Sequence, residues 1–275
     1  MKISKNKLNV VLDIGKTNVK LIFLKNDKIV KEYKTKQQNG SYRNSIKTLK
    51  SGKIIIWLIE KLKKESKKNI LENFVCTTHG CSLAFIGFDN KELIACTDYE
   101  YSFDKYKKEF LKVEPKFSTS FTPLLEGGLN TGLQIFYLSK KFPNVLKKTK
   151  YILSYPQYVA WKLSKTYSTE ITYLGCHSYL WDFKKNKYSQ LTKKLSVEKK
   201  FPPIKKAWDI IGDLKINNKK INILNGVHDS NASYLYFLKS NLKNFTLVST
   251  GTWYITLNQQ TNIKKLKPNY DMLCG

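Results

Sequence analysis

Three short stretches carry residues whose types and spacing can do chemistry. In the first, an apolar strand ends at Asp13 and Ile14, passes through Gly15-Lys16-Thr17-Asn18, and returns as the apolar run VKLIFL. Gly15 lets the backbone come close to a phosphate, with Lys16, Thr17 and Asn18 supplying donors around it. Asp13 would repel that phosphate unless a divalent cation lay between them, and magnesium is held in this way by carboxylate, water and phosphate oxygens. In the second, GVHDSNAS (Gly226 to Ser233), Asp229 sits where an apolar strand gives way to a helix. A carboxylate there can take the proton from a hydroxyl that attacks the terminal phosphorus of ATP. The alternative is that Asp229 or Ser230 simply caps the helix. In the third, FTLVSTGTWYITLN (Phe245 to Asn258), a second hairpin turns at Ser249-Thr250-Gly251-Thr252. Two such turns facing each other would clamp a polyphosphate, because turn N–H groups and hydroxyls point outward where strand pairing stops. The GxxxxGK[ST] pattern of a P-loop does not occur in the sequence.

These residues need elements to position them. Alternating apolar residues predict three antiparallel strands between Asn9 and Thr35, with Asn26-Asp27 as a hairpin turn. A helix is expected over Ser45 to Lys64, interrupted at Ser51-Gly52. NFVCTTHG and CSLAFIGFDNKELIACT read as strands, the latter turning at Asp89-Asn90. LNTGLQIFYLSKKFP and SYPQYVAWKLSK have helical spacing and are punctuated by Pro143 and Pro156. INILNGV then reads as a strand and HDSNASYLYFLKS as the helix after it. The whole is an α/β layer pattern.

Composition excludes several classes. With 275 residues, 41% hydrophobic and 13% aromatic, the chain can build a sizeable core. Its longest apolar run, IIIWLI at Ile54 to Ile59, is too short for a membrane span. The first residues carry no secretory signal, which points to the cytoplasm. The net charge of +28 invites a nucleic-acid reading, but Arg43 is the only arginine among 49 basic residues. Base and phosphate readers rely on the bidentate guanidinium, and the lysines here are scattered, so a solvated surface is the better account. The five cysteines follow no CxxC spacing and read as reduced core thiols. A metal site drawing on Cys76, His79, Cys81, Cys176 and His177 is the sharper alternative, since sulfur and imidazole suit zinc.

Taken together and in order, LDIGKTNVKL, TTHG, YPQYVAWKLS, LGCHSYLWD, GVHDSNAS and STGTW resemble the FGGY family of carbohydrate kinases, the L-fuculose and L-rhamnulose kinase-like branch above all. The resemblance runs from Asn9 to about Asn258. It implies an actin-like ATPase architecture of two ribonuclease H-like lobes, each a mixed sheet flanked by helices, with ATP, magnesium and sugar in the cleft. By the same resemblance Asp13 serves the magnesium side and Gly15, Lys16, Thr17 and Asn18 form the first phosphate loop. Thr78, His79, Gly80 and His228 line the sugar pocket, and Asp229 is the catalytic base. Thr250, Gly251 and Thr252 form the second phosphate loop. Glu170 and His177 read as core or supporting residues, and Tyr158, Trp161, Trp181 and Trp253 as packing aromatics. Family members are longer, so the expected layout is a sugar-binding and catalytic lobe over residues 1–243 and the start of a nucleotide lobe over 244–275. The chain then reads as an N-terminal piece, from a split, truncated or cut sequence, that is active only with its missing half; the partners expected beside sugar and ATP are a separately encoded C-terminal lobe or a homodimer partner. A non-catalytic sugar-binding or interaction module derived from such a kinase is the alternative, and a nucleic-acid binder a lesser one.

Overall fold

The computed structural model describes residues 6–38, 40, 42–43, 45–250 and 253–275. The opening meander is β1 (Lys7–Ile14), β2 (Asn18–Lys25) and β3 (Lys28–Lys36), followed by helix α1 (Ser51–Ser66) and β4 (Ile70–Thr78). Next come β5 (Leu83–Gly87), β6 (Glu92–Ile94), α2 (Thr131–Lys141), β7 (Thr149–Ser154), α3 (Tyr155–Ser164) and α4 (Ile171–Gly175). The last third holds β8 (Ile210–Ile216), β9 (Lys219–Leu224), β10 (Val227–His228), α5 (Asp229–Leu238), β11 (Leu247–Thr250) and β12 (Tyr254–Leu257).

A mixed sheet in the order β8-β9-β4-β1-β2-β3 forms the backbone of the lobe, with β10 continuing alongside β4. Strands β1, β9 and β10 all run parallel to β4, so their carboxyl ends meet at one edge. The β2–β3 turn has positive φ at both Asn26 and Asp27, the conformation that a right-twisted two-residue hairpin demands. On one face α1 buries Ile54, Ile55, Leu58 and Leu62 at helical spacing, each worth about 2 kcal/mol of transfer free energy. Pro156 starts α3, which is buried along most of its length, and Lys165 closes it in the left-handed conformation.

A second, antiparallel sheet of order β6-β5-β7 supports a second core with α2. Its central strand β5 is buried along its whole length. Leu83 and Phe85 of β5 and Ile152 of β7 point into the second core, while Ala84, Ile86 and Leu153 belong to the first.

The expected helix over residues 45–64 is corrected. Residues up to Leu49 are drawn into backbone pairing instead: Leu49 N–H donates to Cys96 O at 2.7 Å and Asp98 N–H to Lys47 O at 3.0 Å. The helix therefore starts at Ser51 and Ser51-Gly52 is its first turn, not an interruption. Strands β7 and β8 are additional to the sequence reading. Hairpin β11–β12 forms as expected, and among the described residues its strands pair only with each other. No helix among the described residues is long and apolar enough to cross a membrane.

Candidate functional site

The carboxyl ends of β1, β4 and β10 gather the chemistry. Asp13 pairs across the sheet with Thr77, and Thr77 with Val227, so the chain leaves β10 one residue before Asp229 at the same edge as Asp13. The two carboxylates feel each other. Burial raises the pKa of Asp13, Lys20 opposes the shift, and the charge of Asp229 adds to it. Asp229 is likewise raised by burial, against the Ser230 N–H and the nearby His79 and His177 that favour its ionised form. A carboxyl group lifted in this way is a better proton acceptor than a solvated one. Asp229 Oδ1 accepts from the neighbouring Ser230 N–H at 2.7 Å in the first turn of α5, where a negative charge suits the helix dipole; the N-cap itself is His228, with no side-chain capping bond, so the expected alternative of a capping Asp229 or Ser230 is corrected.

All three histidines of the chain converge here. His79 donates from Nδ1 to Gly80 O at 2.8 Å and is set edge-on to Tyr99 and Tyr155; its Nε2 is buried with no partner. His177 Nδ1 lies 2.7 Å from Leu129 O and 3.2 Å from Cys81 Sγ. His228 Nδ1 lies 3.1 Å from Asn231 Oδ1, and its Nε2 is 3.6 Å from Asp229 Oδ1. Burial pushes both His177 and His228 down to about 4, so neutral imidazoles face the carboxylate. Gly80 makes room for this crowding: a Cβ there would stand 2.8 Å from His228 Nε2 and 3.4 Å from His177 Cε1. Cys81 and His177 both carry positive φ, a strain that flanks the pocket. Thr78 is fully buried, with its hydroxyl turned to His79 O at 2.8 Å.

The turn after β1 closes with Gly15 N–H donating to Asn18 O at 2.9 Å, and Thr17 and Asn18 are exposed. The Lys16 ammonium is directed elsewhere. It lies 2.6 Å from Asp98 Oδ1, 3.3 Å from Glu100 Oε2 and 4.5 Å over the Tyr99 ring. Lys47 is 3.1 Å from the other oxygen of Asp98, whose side chain is fully buried. Burial alone would raise Asp98; the Lys16 bond, the Glu100 N–H and Lys47 together lower it. Thr250 ends β11 and is exposed, whereas Gly251 and Thr252 lie outside the described residues.

Glu170, read from the sequence as a core or supporting residue, and Asn225, which that reading passed over, hold this edge in place. Glu170, nearly fully buried, caps α4 by accepting from Thr172 N–H at 3.0 Å and also takes the Thr172 hydroxyl proton. That hydroxyl in turn accepts from His228 N–H at 3.2 Å, tying Glu170 to the residue before Asp229. Asn225 is fully buried: it accepts from Ser168 Oγ at 2.7 Å and donates to Thr169 O at 3.1 Å and Lys205 O at 2.9 Å. The packing roles expected for Tyr158, Trp161 and Trp181 agree with their burial, while Trp253 is half exposed.

The alternative metal set does not assemble as one group. Cys76 lies in the first core, and Cys76, Cys81 and Cys96 are free, buried thiols. Cys176 and His177 instead approach His228.

Among solved structures, the chain is similar to that of a carbohydrate kinase from Novosphingobium aromaticivorans, with a TM-score of 0.89 and 26% identity over 98% of this chain and 60% of that one. It also resembles a ligand-bound xylulose kinase from Lactobacillus acidophilus, with a TM-score of 0.71 and 16% identity over 83% of this chain and 49% of that one. A glycerol kinase from Plasmodium falciparum with ADP gives a TM-score of 0.69 and 15% identity over 84% and 50%. No family model and no curated protein sequence matches the chain. The fold is that of the actin-like ATPase lobe of sugar kinases, and the chain spans 60% of the first of these structures and about half of the others.

Proposed function

We propose that this chain is the sugar-binding and catalytic lobe, residues 1–243, and the start of the nucleotide lobe, residues 244–275, of a kinase that phosphorylates a sugar hydroxyl from ATP. The observation that carries the reading is the meeting of Asp13 and Asp229 at the carboxyl ends of parallel strands, with neutral imidazoles around Asp229. Asp229 takes the proton of the attacking hydroxyl, and its raised pKa suits that task. His79, Gly80 and His228 shape the sugar pocket, with Thr78 fixing the backbone beneath them. The unpartnered Nε2 of His79 is an acceptor ready for a sugar hydroxyl.

Two converging carboxylates fit a divalent cation, since the charge of Asp229 raises the proton affinity of Asp13 until positive charge arrives. Asp13 would hold magnesium, through water, and the ion would neutralise charge on the phosphoryl oxygens. The Gly15–Asn18 turn offers backbone N–H groups and the Thr17 and Asn18 side chains to phosphate, while the Lys16 ammonium anchors the turn to Asp98. Thr250, Gly251 and Thr252 form the second phosphate loop by resemblance. The substrate is a ketose or deoxyketose of the L-fuculose or L-rhamnulose kind, and the reaction is cytoplasmic. Turnover needs the remaining part of the two-lobed fold, in the same polypeptide or a second chain.

Sugar-dependent ADP release by the protein with both lobes present tests this reading. Asp229→Asn keeps the fold and lowers turnover by about 100- to 10,000-fold, the range of general-base contributions. Turnover within about tenfold of the unaltered protein would remove Asp229 from the role.

A further inference from the structure

Cys176 Sγ, a ring nitrogen of His177 and a ring nitrogen of His228 all lie within 4.8 Å of one another. Zinc takes sulfur at about 2.3 Å and nitrogen at about 2.0–2.1 Å, so ligand atoms of a tetrahedral site stand roughly 3.5 Å apart. Side-chain adjustments of about an ångström therefore bring these three atoms onto one ion.

The arrangement around the imidazoles favours such an ion. Leu129 O accepts from His177 Nδ1 at 2.7 Å, and Asn231 Oδ1 faces His228 Nδ1 at 3.1 Å. Each Nδ1 thus carries its proton toward a carbonyl-type oxygen, which leaves a lone pair on each Nε2. Metal-ligating histidines are oriented by this kind of outer partner. Gly80 lets the two rings come close, because a Cβ there would stand 2.8 Å from His228 Nε2 and 3.4 Å from His177 Cε1. Cys176 and His177 are only partly buried, so an ion can reach them. One thiol and two imidazoles are soft and borderline donors that suit zinc and not magnesium.

We propose that Cys176, His177 and His228 form a site for a zinc-type divalent cation, separate from the magnesium ascribed to Asp13, with a fourth position left to water or a hydroxyl oxygen. Binding breaks the Cys176 S–H bond and forms a sulfur–metal bond, and the proton leaves to solvent.

The test is titration of the reduced, chelator-stripped chain with cobalt(II), which reports geometry and ligand type through its absorption. One equivalent should give intense visible bands of tetrahedral cobalt and a thiolate-to-cobalt band in the near ultraviolet, both erased by one equivalent of zinc. Cys176→Ser removes the thiolate band, and Asn231→Ala weakens cobalt binding about 10- to 100-fold. Cys96→Ser, a thiol of the first core, leaves the spectrum unchanged, and an unshifted urea midpoint shows that Cys176→Ser is folded. A chain that gives no thiolate band, or a folded Cys176→Ser whose band survives, overturns the proposal. The kinase reading is decided separately, by Asp229 and ADP release.

Discussion

Replacing Asn225 tests how the fold holds the edge that carries Asp13 and Asp229. Its side chain makes three hydrogen bonds in a fully buried place, one accepted from Ser168 and two donated to the carbonyls of Thr169 and Lys205. At about 1 kcal/mol each, Asn225→Ala costs about 3 kcal/mol, and more if both carbonyls stay dry. Asn225→Asp keeps the bond from Ser168 but turns a second acceptor toward two carbonyl oxygens. The folded state then favours the protonated acid, so the folded pKa of the new Asp lies above its unfolded value of about 3.9. Stability is present below that unfolded value and lost as pH rises through the folded one. Urea unfolding at pH 7 and at about pH 4 should show the Asp variant below the Ala variant at neutrality and above it in acid. A loss under about 1 kcal/mol for Ala, or no pH crossing for Asp, would refute the claim that these bonds seat the start of β10.

Three further outcomes are expected. Gly80→Ala places a methyl 2.8 Å from His228 Nε2, and the displacement of that ring should weaken sugar binding about 100-fold while the urea midpoint moves little; calorimetric titration checks this. Gly226→Ala, at φ +87° with its Cβ 2.6 Å from Cys76 O, should lose at least about 2 kcal/mol of stability in the same urea experiment. Asp98→Asn leaves Lys16 and Lys47 without their buried counter-charge and should cost about 3–5 kcal/mol. Because the pKa of Asp98 is lowered in the fold, its stabilisation is present above about pH 4 and lost as pH falls through the folded value, and unfolding curves of the variant should lack that acid decline.

The parts of this molecule that are local in the chain could be read from its residues. Asn26-Asp27 announced its hairpin because few other residues accept two left-handed positions in a row. The Asp13 and Asp229 strand ends were visible as carboxylates where apolar runs stop. What escaped depends on distant partners. The residues before α1 have helical spacing, yet their backbone pairs with the segment from Cys96 to Asp98, and no local pattern reports that. Lys16 reads as a phosphate donor until Asp98, eighty-two positions away, takes its ammonium. Glu170 shows no signal of its tie to His228, which runs through the hydroxyl of Thr172. The three histidines are separated by long stretches of chain, and only the parallel sheet and the α4 turn bring them together.

Strands β5 and β7 have a thermodynamic consequence. Since successive side chains of each strand enter different cores, neither core can melt without stripping one face of the wall that the other leans on. The two halves of residues 6–243 therefore share one unfolding transition, and no intermediate with only one of them intact should accumulate at equilibrium. Amide hydrogens of Ala84, Phe85 and Ile152 should exchange with solvent only through that global opening, as slowly as any in the chain.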